Sequence, residues 1–182
     1  LVLVAMSGCI LTVNAQQSFS YKNPLLPTEL RVNDLLGRMT LEEKIAQIRH
    51  LHSWDVFDGQ ILNQEKLDKM CGGIGYGFFE GFPLTAASCR KTFREIQTYM
   101  VEKTRLGIPG FPVAESLHGV VHEGTTIYPQ NIAMGSTFNP ELAYEKTKHI
   151  AGELNTMGVK QVLAPCIDVV RDLRWGRVEE SF

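Results

Sequence analysis

The chain has few of the features that mark specialised classes of protein. Its 182 residues include four cysteines and no Cys-x-x-Cys pair, which excludes a disulfide-dense miniprotein and gives no sign of a zinc or thioredoxin-like motif. Lysine and arginine total 18 against 20 aspartates and glutamates, with no basic run, so we expect no nucleic-acid partner. Hydrophobic residues at 44 % and charged residues at 21 % are typical of a globular domain.

The N-terminal segment lacks charge. Residues 1–15 are uncharged but too few for a membrane span, which needs about 20 apolar residues. They end in Val13-Asn14-Ala15, whose small outer residues favour a secretory cleavage site. The alternative is a bacterial lipoprotein box, Met6-Ser7-Gly8-Cys9, with a lipid anchor on Cys9. We therefore predict a signal peptide with a truncated start over residues 1–15, a linker over 16–27, and an exported protein, periplasmic or secreted.

Two helices are predicted in the first third of the chain. One runs from Thr28 to Leu36. Thr40 and Glu43 then have the spacing of a capping box. Apolar residues follow at intervals of three and four, which predicts an amphipathic helix over residues 41–51.

Two longer helices are predicted further along. The first covers about residues 86–105, and its expected buried stripe consists of Phe93, Ile96, Met100 and Val101. Asn139 as cap and Pro140 at the first helical position begin the second, which ends at Gly158. Its expected inner face consists of Ala143, Thr147, Ile150, Ala151 and Leu154.

Short apolar segments between the helices predict buried strands. They cover residues 72–79, 111–114 and 159–164, with a further short strand at 132–135. Strands that alternate with helices form a parallel sheet, so the predicted fold class is α/β. A complete (β/α)8 barrel needs about 250 residues, and this chain would supply roughly half of one, the N-terminal part. A small doubly wound sheet is the alternative, but Phe78 replaces the third glycine of a dinucleotide loop.

Dense polar motifs follow two of these strands, where parallel α/β folds bind their ligands. They are Glu115-Ser116-Leu117-His118-Gly119 and Arg171-Asp172-Leu173-Arg174-Trp175-Gly176-Arg177. Three further motifs complete the order found in glycoside hydrolase family 3: Met39 to Gln47, Gly107-Ile108-Pro109 and Tyr128-Pro129-Gln130. Residues 28–182 thus resemble part of the N-terminal barrel domain of that family, although the family usually has proline where Leu173 stands.

The resemblance implies a β-glucosidase that removes terminal non-reducing β-D-glucosyl residues by a retaining mechanism. It implies that Glu115 and Arg177 bind hydroxyls of the sugar at the −1 subsite, for which a carboxylate and a guanidinium fork are suited. The aspartate nucleophile and the acid/base are expected after Phe182, so no catalytic residue is expected within this chain. The implied partner is a β-linked oligosaccharide or glycoside, with no cofactor.

Three other functions stay open. A β-xylosidase of the same family would share these residues, because the contacts that distinguish glucose from xylose lie in other loops and domains. A sugar-binding protein without catalysis would keep Glu115 and Arg177 but lack the nucleophile. In a plain α/β interaction domain, every charged loop would be a structural brace.

A metal site is not expected. His118, His122 and Glu123 form a His-x-x-x-His-Glu pattern, but Gly119 and Gly124 interrupt any helix that would bring the two histidines to one face. We interpret Arg171, Asp172 and Arg174 as an ion-paired brace. The remaining cysteines, Cys71, Cys89 and Cys166, are interpreted as buried thiols.

Overall fold

A computed structural model describes residues 19–81 and 85–181, which form two units divided after Met39. The predicted signal peptide lies outside the described residues. In the first unit a 3-10 turn, Ser20–Lys22, precedes helix α1, Thr28–Arg38. Asp34 of α1 accepts a hydrogen bond from the backbone N–H of Tyr21 at 3.0 Å. The helix predicted over 28–36 is confirmed and is two residues longer.

The second unit, from Thr40 onward, alternates helices with strands. Its elements are α2 (Leu41–Ala46), β1 (His50–His52), α3 (Ser53–Val56), β2 (Phe57–Asp58), β3 (Ile61–Leu62), α4 (Gln64–Cys71), β4 (Phe78–Glu80), α5 (Ala86–Lys103), β5 (Phe111–Ala114), α6 (Asn131–Gly135), α7 (Pro140–Met157) and β6 (Gln161–Val162). A 3-10 turn follows at Val178–Glu180. Among the described residues, no helix has the length and apolar character needed to cross a membrane.

Four strands form one parallel sheet in the order β1-β4-β5-β6, and β2 pairs with β3 as a separate antiparallel hairpin. The register aligns His50 with Phe78 and Phe111 across the first three strands. A doubly wound sheet would reverse its order at a switch point, whereas this order follows the chain. The predicted fold class is therefore confirmed as α/β, the N-terminal part of a TIM-like barrel.

The core of the second unit lies where helices cover the sheet. Phe79 of β4 is fully buried and meets Phe93 of α5 edge-on, with ring centroids 5.6 Å apart. Ile96 and Met100 continue this buried stripe along α5. Val101 was predicted to belong to it, but its side chain is 45 % exposed, because it lies one residue, about 100°, around the helix from Met100.

Besides the strand expected over residues 159–164, of which only Gln161–Val162 forms β6, three predicted elements in the second unit are wrong in part or in whole. The helix expected over residues 41–51 ends at Ala46, because Ala46 and Arg49 offer their carbonyl oxygens to the backbone N–H groups of Gly77 and Phe78. The strand expected over 72–79 begins only at Phe78. Residues 132–135, expected as a strand, lie in helix α6, since a short apolar run does not distinguish a strand from a buried helix.

Helix α7 begins and ends as predicted. The Asn139 side chain accepts a hydrogen bond from the N–H of Leu142 at 3.0 Å, and Gly158 ends the helix with a φ of 92°. The buried positions are Lys146, Ile150, Leu154 and Met157. Thr147 and Ala151, predicted to face inward, are exposed, so the true stripe is rotated toward a lysine that looked like a surface residue.

The three cysteines within the described residues are free thiols. Cys71 and Cys89 are buried, which raises the pKa of Cys71 to about 12 and that of Cys89 to about 11. Cys166 is only half-buried, so the prediction of a third buried thiol is wrong. It lies beside charged side chains of the candidate site.

Candidate functional site

Polar side chains gather where the parallel strands end. His52 ends β1 and pairs in register with Glu80, which ends β4, while Glu115 directly follows β5. Together with Trp54 and His122 they line one cavity of about 370 Å³. The carboxyl ends of parallel strands are where α/β barrels carry their active sites, so we treat this cavity as the candidate site.

Glu115, predicted as a sugar-binding residue, is exposed at the end of β5 and lines this cavity. Its neighbours are fixed, since Ser116 is buried and the carbonyl oxygen of Leu117 accepts a hydrogen bond from Lys146 at 3.3 Å. The carboxylate itself makes no hydrogen bond to another described residue. The backbone is therefore held while both carboxylate oxygens can accept hydrogen bonds from a ligand.

Arg177, the second predicted sugar-binding residue, is held by a carboxylate. Its Nε lies 2.7 Å from Oε2 of Glu180, and its terminal nitrogen lies 3.6 Å from Sγ of Cys166. The hydrogen bond with Glu180 raises the pKa of Arg177 and lowers that of Glu180. The charge of Glu115 also favours the cationic form of Arg177, so the structure brings the two predicted residues within electrostatic reach.

Glu180 was not singled out from the sequence, although its position three residues after Arg177 is a recognisable signal. Ion pairs three or four residues apart occur readily when the backbone turns. Here the 3-10 turn at Val178–Glu180 supplies that turn. Glu180 therefore sets the direction of the guanidinium group.

Lys146 connects the segment after β5 with the segment that carries Arg177. Its ammonium donates hydrogen bonds to the carbonyl oxygens of Leu117 and Pro129 and to Oδ1 of Asn131, at 3.3, 3.2 and 3.0 Å. Asn131 in turn donates from Nδ2 to the carbonyl oxygen of Glu180 at 2.9 Å. Burial lowers the pKa of Lys146. Sequence reasoning missed this residue, because a lysine in a helix is normally exposed.

The proposed brace after β6 is confirmed for one pair. Nε of Arg174 lies 2.9 Å from Oδ1 of Asp172, and both side chains are largely exposed. Water screens the attraction between the charges of an exposed pair of this kind. It shapes the loop and adds little to stability.

The loop with the two histidines is not helical. Tyr128 donates its backbone N–H to the carbonyl oxygen of His118 at 2.7 Å, and Thr125 Oγ1 donates to that of His122 at 2.8 Å. The histidines therefore do not share a helix face. Across residues 19–81 and 85–181, no group of three or more His, Cys, Asp or Glu side chains is arranged to hold a metal ion.

Comparison with known proteins gives a consistent family. A model of the glycosyl hydrolase family 3 N-terminal domain matches residues 40–182. A putative beta-xylosidase from Formosa agariphila is 33 % identical over 171 residues, which cover 91 % of this chain and 23 % of that protein. A periplasmic beta-glucosidase from Salmonella typhimurium is 29 % identical over 181 residues, which cover 98 % of this chain and 22 % of that protein. The chain thus spans less than a quarter of the length of these relatives.

Solved structures give the same result. The β-glucosidase EmGH1 from Erythrobacter marinus has a TM-score of 0.75 at 29 % identity, over 91 % of this chain and 22 % of that one. A beta-glucosidase from Listeria innocua in complex with glucose has a TM-score of 0.65 at 29 % identity, over 84 % and 21 %. Sequence and fold therefore agree on the family.

Proposed function

This chain belongs to glycosyl hydrolase family 3, and from that premise we propose that the protein containing it hydrolyses terminal non-reducing β-D-glucosyl residues. The observation that carries the proposal is the position of Glu115. It directly follows a central strand of the sheet, lines the cavity and has a carboxylate without a hydrogen-bond partner among the described residues. An acceptor of this kind at a barrel's carboxyl edge is suited to hold sugar hydroxyls.

In the proposed mechanism this chain holds the sugar ring and does not attack it. Glu115 accepts hydrogen bonds from ring hydroxyls, and Arg177, oriented by Glu180, donates to the ring from another side. A retaining glycosidase uses two further carboxyl groups about 5–5.5 Å apart, one as nucleophile and one as acid/base. We propose that both come from residues outside this chain. Hydroxyl contacts that tighten in the oxocarbenium-like transition state then raise kcat as well as affinity.

A β-xylosidase of the same family is the second candidate. It is favoured by two proteins of Formosa agariphila, the putative beta-xylosidase and a beta-xylosidase that is 42 % identical over 84 residues. Glucose differs from xylose by one hydroxymethyl group, which a pocket distinguishes by about 1–3 kcal/mol. The ratio of kcat/KM for aryl β-glucosides and aryl β-xylosides decides between the two.

We also propose that the protein is exported, because its relative from Salmonella typhimurium is named a periplasmic enzyme. The uncharged segment over residues 1–15 supports cleavage of a signal peptide, with lipid attachment at Cys9 as the alternative. The mass of the mature N-terminal peptide distinguishes the two. A peptide that begins at Gln16 supports cleavage, and an acylated Cys9 supports the anchor.

Replacing Glu115 by glutamine in the full-length protein tests the function. We expect kcat/KM for an aryl β-glucoside to fall at least 100-fold, equivalent to about 2.7 kcal/mol, with an unchanged unfolding temperature because the side chain is exposed. Glu102→Gln, an exposed carboxylate in the last turn of α5, is the matched control. Unchanged activity in Glu115→Gln would remove Glu115 from the site. Sugar binding without turnover in the natural protein would instead support a non-catalytic binding protein.

A further inference from the structure

A second group of side chains shares the cavity with Glu115 but has no assigned role. It consists of His52, Trp54 and Glu80, on the adjoining ends of β1 and β4. We propose that this group binds the second sugar of a β-linked disaccharide, on the leaving-group side of the ring that Glu115 holds. This inference rests on the proposed function of the same cavity.

Trp54 is fixed in place and still exposed. Its indole stacks on the imidazole of His52 with ring centroids 4.3 Å apart and planes only 8° apart, yet 70 % of its surface is accessible. The preceding residue, Ser53, donates a hydrogen bond from Oγ to the carbonyl oxygen of Gly81. The start of α3 is thereby tied to the residue that follows β4, which holds the backbone next to Trp54. A large ring that is rigid and accessible is suited to stack against the C–H face of a pyranose.

Glu80 supplies the polar part of this group. Its Oε1 lies 3.0 Å from Nδ1 of His50 and 3.3 Å from Nδ1 of His52. Neither nitrogen has a hydrogen-bond partner of acceptable geometry in the described part of the chain, although both atoms are buried. The second carboxylate oxygen makes no hydrogen bond or ion pair with any described residue. Three polar groups thus converge on one point with their hydrogen-bonding capacity incompletely used.

A structural brace between helix α2 and the segment after α5 is built differently. Glu43 receives a hydrogen bond from Nε of Arg105 at 2.7 Å and another from the backbone N–H of Thr40 at 2.8 Å. Both of its oxygens are used, and it is 5 % exposed. Buried polar groups that serve stability are normally satisfied in this way. The unused capacity around Glu80 is therefore better explained by an incoming hydroxyl group.

The size and lining of the cavity match a small polar ligand. Its volume of about 370 Å³ lies within the range of roughly 300–1,000 Å³ that small-molecule sites occupy. Apolar walls from Phe93 and Val113 alternate with the carboxylates of Glu80 and Glu115. Vicinal hydroxyls on two connected rings would engage one carboxylate each.

The test compares two substrates of the full-length protein that share the first ring and differ in the leaving group. The first substrate is a β-linked glucose disaccharide and the second is methyl β-glucoside, which has no second ring. We expect Trp54→Ala to lower kcat/KM for the disaccharide about tenfold and to leave kcat/KM for the methyl glycoside within about twofold, since only the disaccharide has a second ring on which the indole can stack. Glu80→Gln, which preserves the shape of the side chain, should likewise lower kcat/KM for the disaccharide relative to kcat/KM for the methyl glycoside. Tyr144→Ala, an exposed aromatic on α7, is the matched control.

The outcomes separate this inference from the proposed function. An equal loss on both substrates, or no loss on either, overturns the second sugar site. If the natural protein cleaves neither substrate, the proposed function fails, and calorimetric titration with the disaccharide then decides the inference. Binding that Trp54→Ala weakens supports a second sugar contact, whereas equal binding by the natural protein and the variant overturns it.

Discussion

At the edge where the strands of the sheet begin, Gln97 and Glu43 form hydrogen bonds with their partners and Nδ1 of His50 forms none, whereas at the edge where the strands end several buried polar atoms form none within the described part of the chain. Before β5, Gln97 brackets Gly110, donating to its carbonyl oxygen and accepting from its N–H at 3.1 Å. At and beyond the strand ends, buried atoms of His52, His118 and Gln130 lack a hydrogen-bond partner among the described residues. The hydrogen bonds at the starting edge therefore serve stability, whereas the ending edge keeps polar groups available for a ligand.

The largest effect is expected at the starting edge, from Gly77→Ala. A Cβ at Gly77 would overlap the backbone carbonyl of Gln47, and the Gly77 N–H is bonded to the carbonyl oxygen of Ala46 at 3.0 Å. The strand cannot move away without breaking that bond. We expect a loss of about 3 kcal/mol in the free energy of unfolding, measured by urea denaturation. A loss under about 0.5 kcal/mol would mean that this edge is not tightly packed.

Lys146 departs from this contrast between the two edges. It lies on the side of the ending edge, yet it is buried and its ammonium group makes three hydrogen bonds. Lys146→Met keeps the length of the side chain and leaves two carbonyl oxygens and Asn131 without their donor. We expect a loss of about 2 kcal/mol in stability, since hydrogen bonds to charged groups contribute about 1.5–3 kcal/mol each and burial of the charge offsets part of this. Thermal unfolding of Lys146→Met against Lys148→Met, an exposed neighbour on α7, measures it.

The pair of Glu43 and Arg105 predicts a pH dependence of stability at the starting edge. The hydrogen bond from Arg105 lowers the pKa of Glu43 below its ordinary value of 4.5. A carboxyl group whose pKa is lower in the folded than in the unfolded state stabilises the fold. This stabilisation is complete at pH values above the ordinary pKa, and it is lost as the pH falls through the folded-state pKa. We expect Glu43→Gln to cost about 2 kcal/mol at pH 7 and progressively less below pH 4.5. A cost that does not change with pH would exclude the ion pair as its source.

The smallest effect, of opposite sign, is expected for Gly152→Ala in α7. Apart from its chain neighbours and the nearby backbone of α7, no atom of residues 19–81 or 85–181 lies within 4 Å of the Cβ that would be added, and the residue is exposed within the helix. Alanine is favoured over glycine in a helix interior by about 0.5–1 kcal/mol. Chemical denaturation should show a gain of that size. Because Gly152 and Gly77 undergo the same chemical change, this variant is the control for tight packing at Gly77.

The long helices could be predicted from the sequence because their signals are local. The Asn139-Pro140 start of α7 and the Thr40–Glu43 capping box depend on residues within one turn. The inner face of α7 was predicted less well. Lys146 is buried there because three acceptors from distant segments converge on its ammonium, and no local pattern encodes that convergence.

Some residues of the candidate site could likewise be predicted from local motifs, and others could not. The local motif around Glu115 identified the residue at the end of β5, and the second motif identified Arg177. The group of His52, Trp54 and Glu80 was missed because β1 was expected to be part of a helix. Its members come together only through the pairing of β1 with β4, which joins residues 28 positions apart.

Local sequence patterns were therefore enough to predict the α/β class, the caps of the helices and the motifs at two strand ends, because each depends on neighbouring residues. Only the tertiary structure decided where α2 stops, which face of α7 is buried and which side chains share the cavity. The physical reason is that backbone hydrogen bonds between strands and buried polar contacts join segments far apart in the chain. Their free energy exceeds the few tenths of a kilocalorie per residue by which local propensities differ.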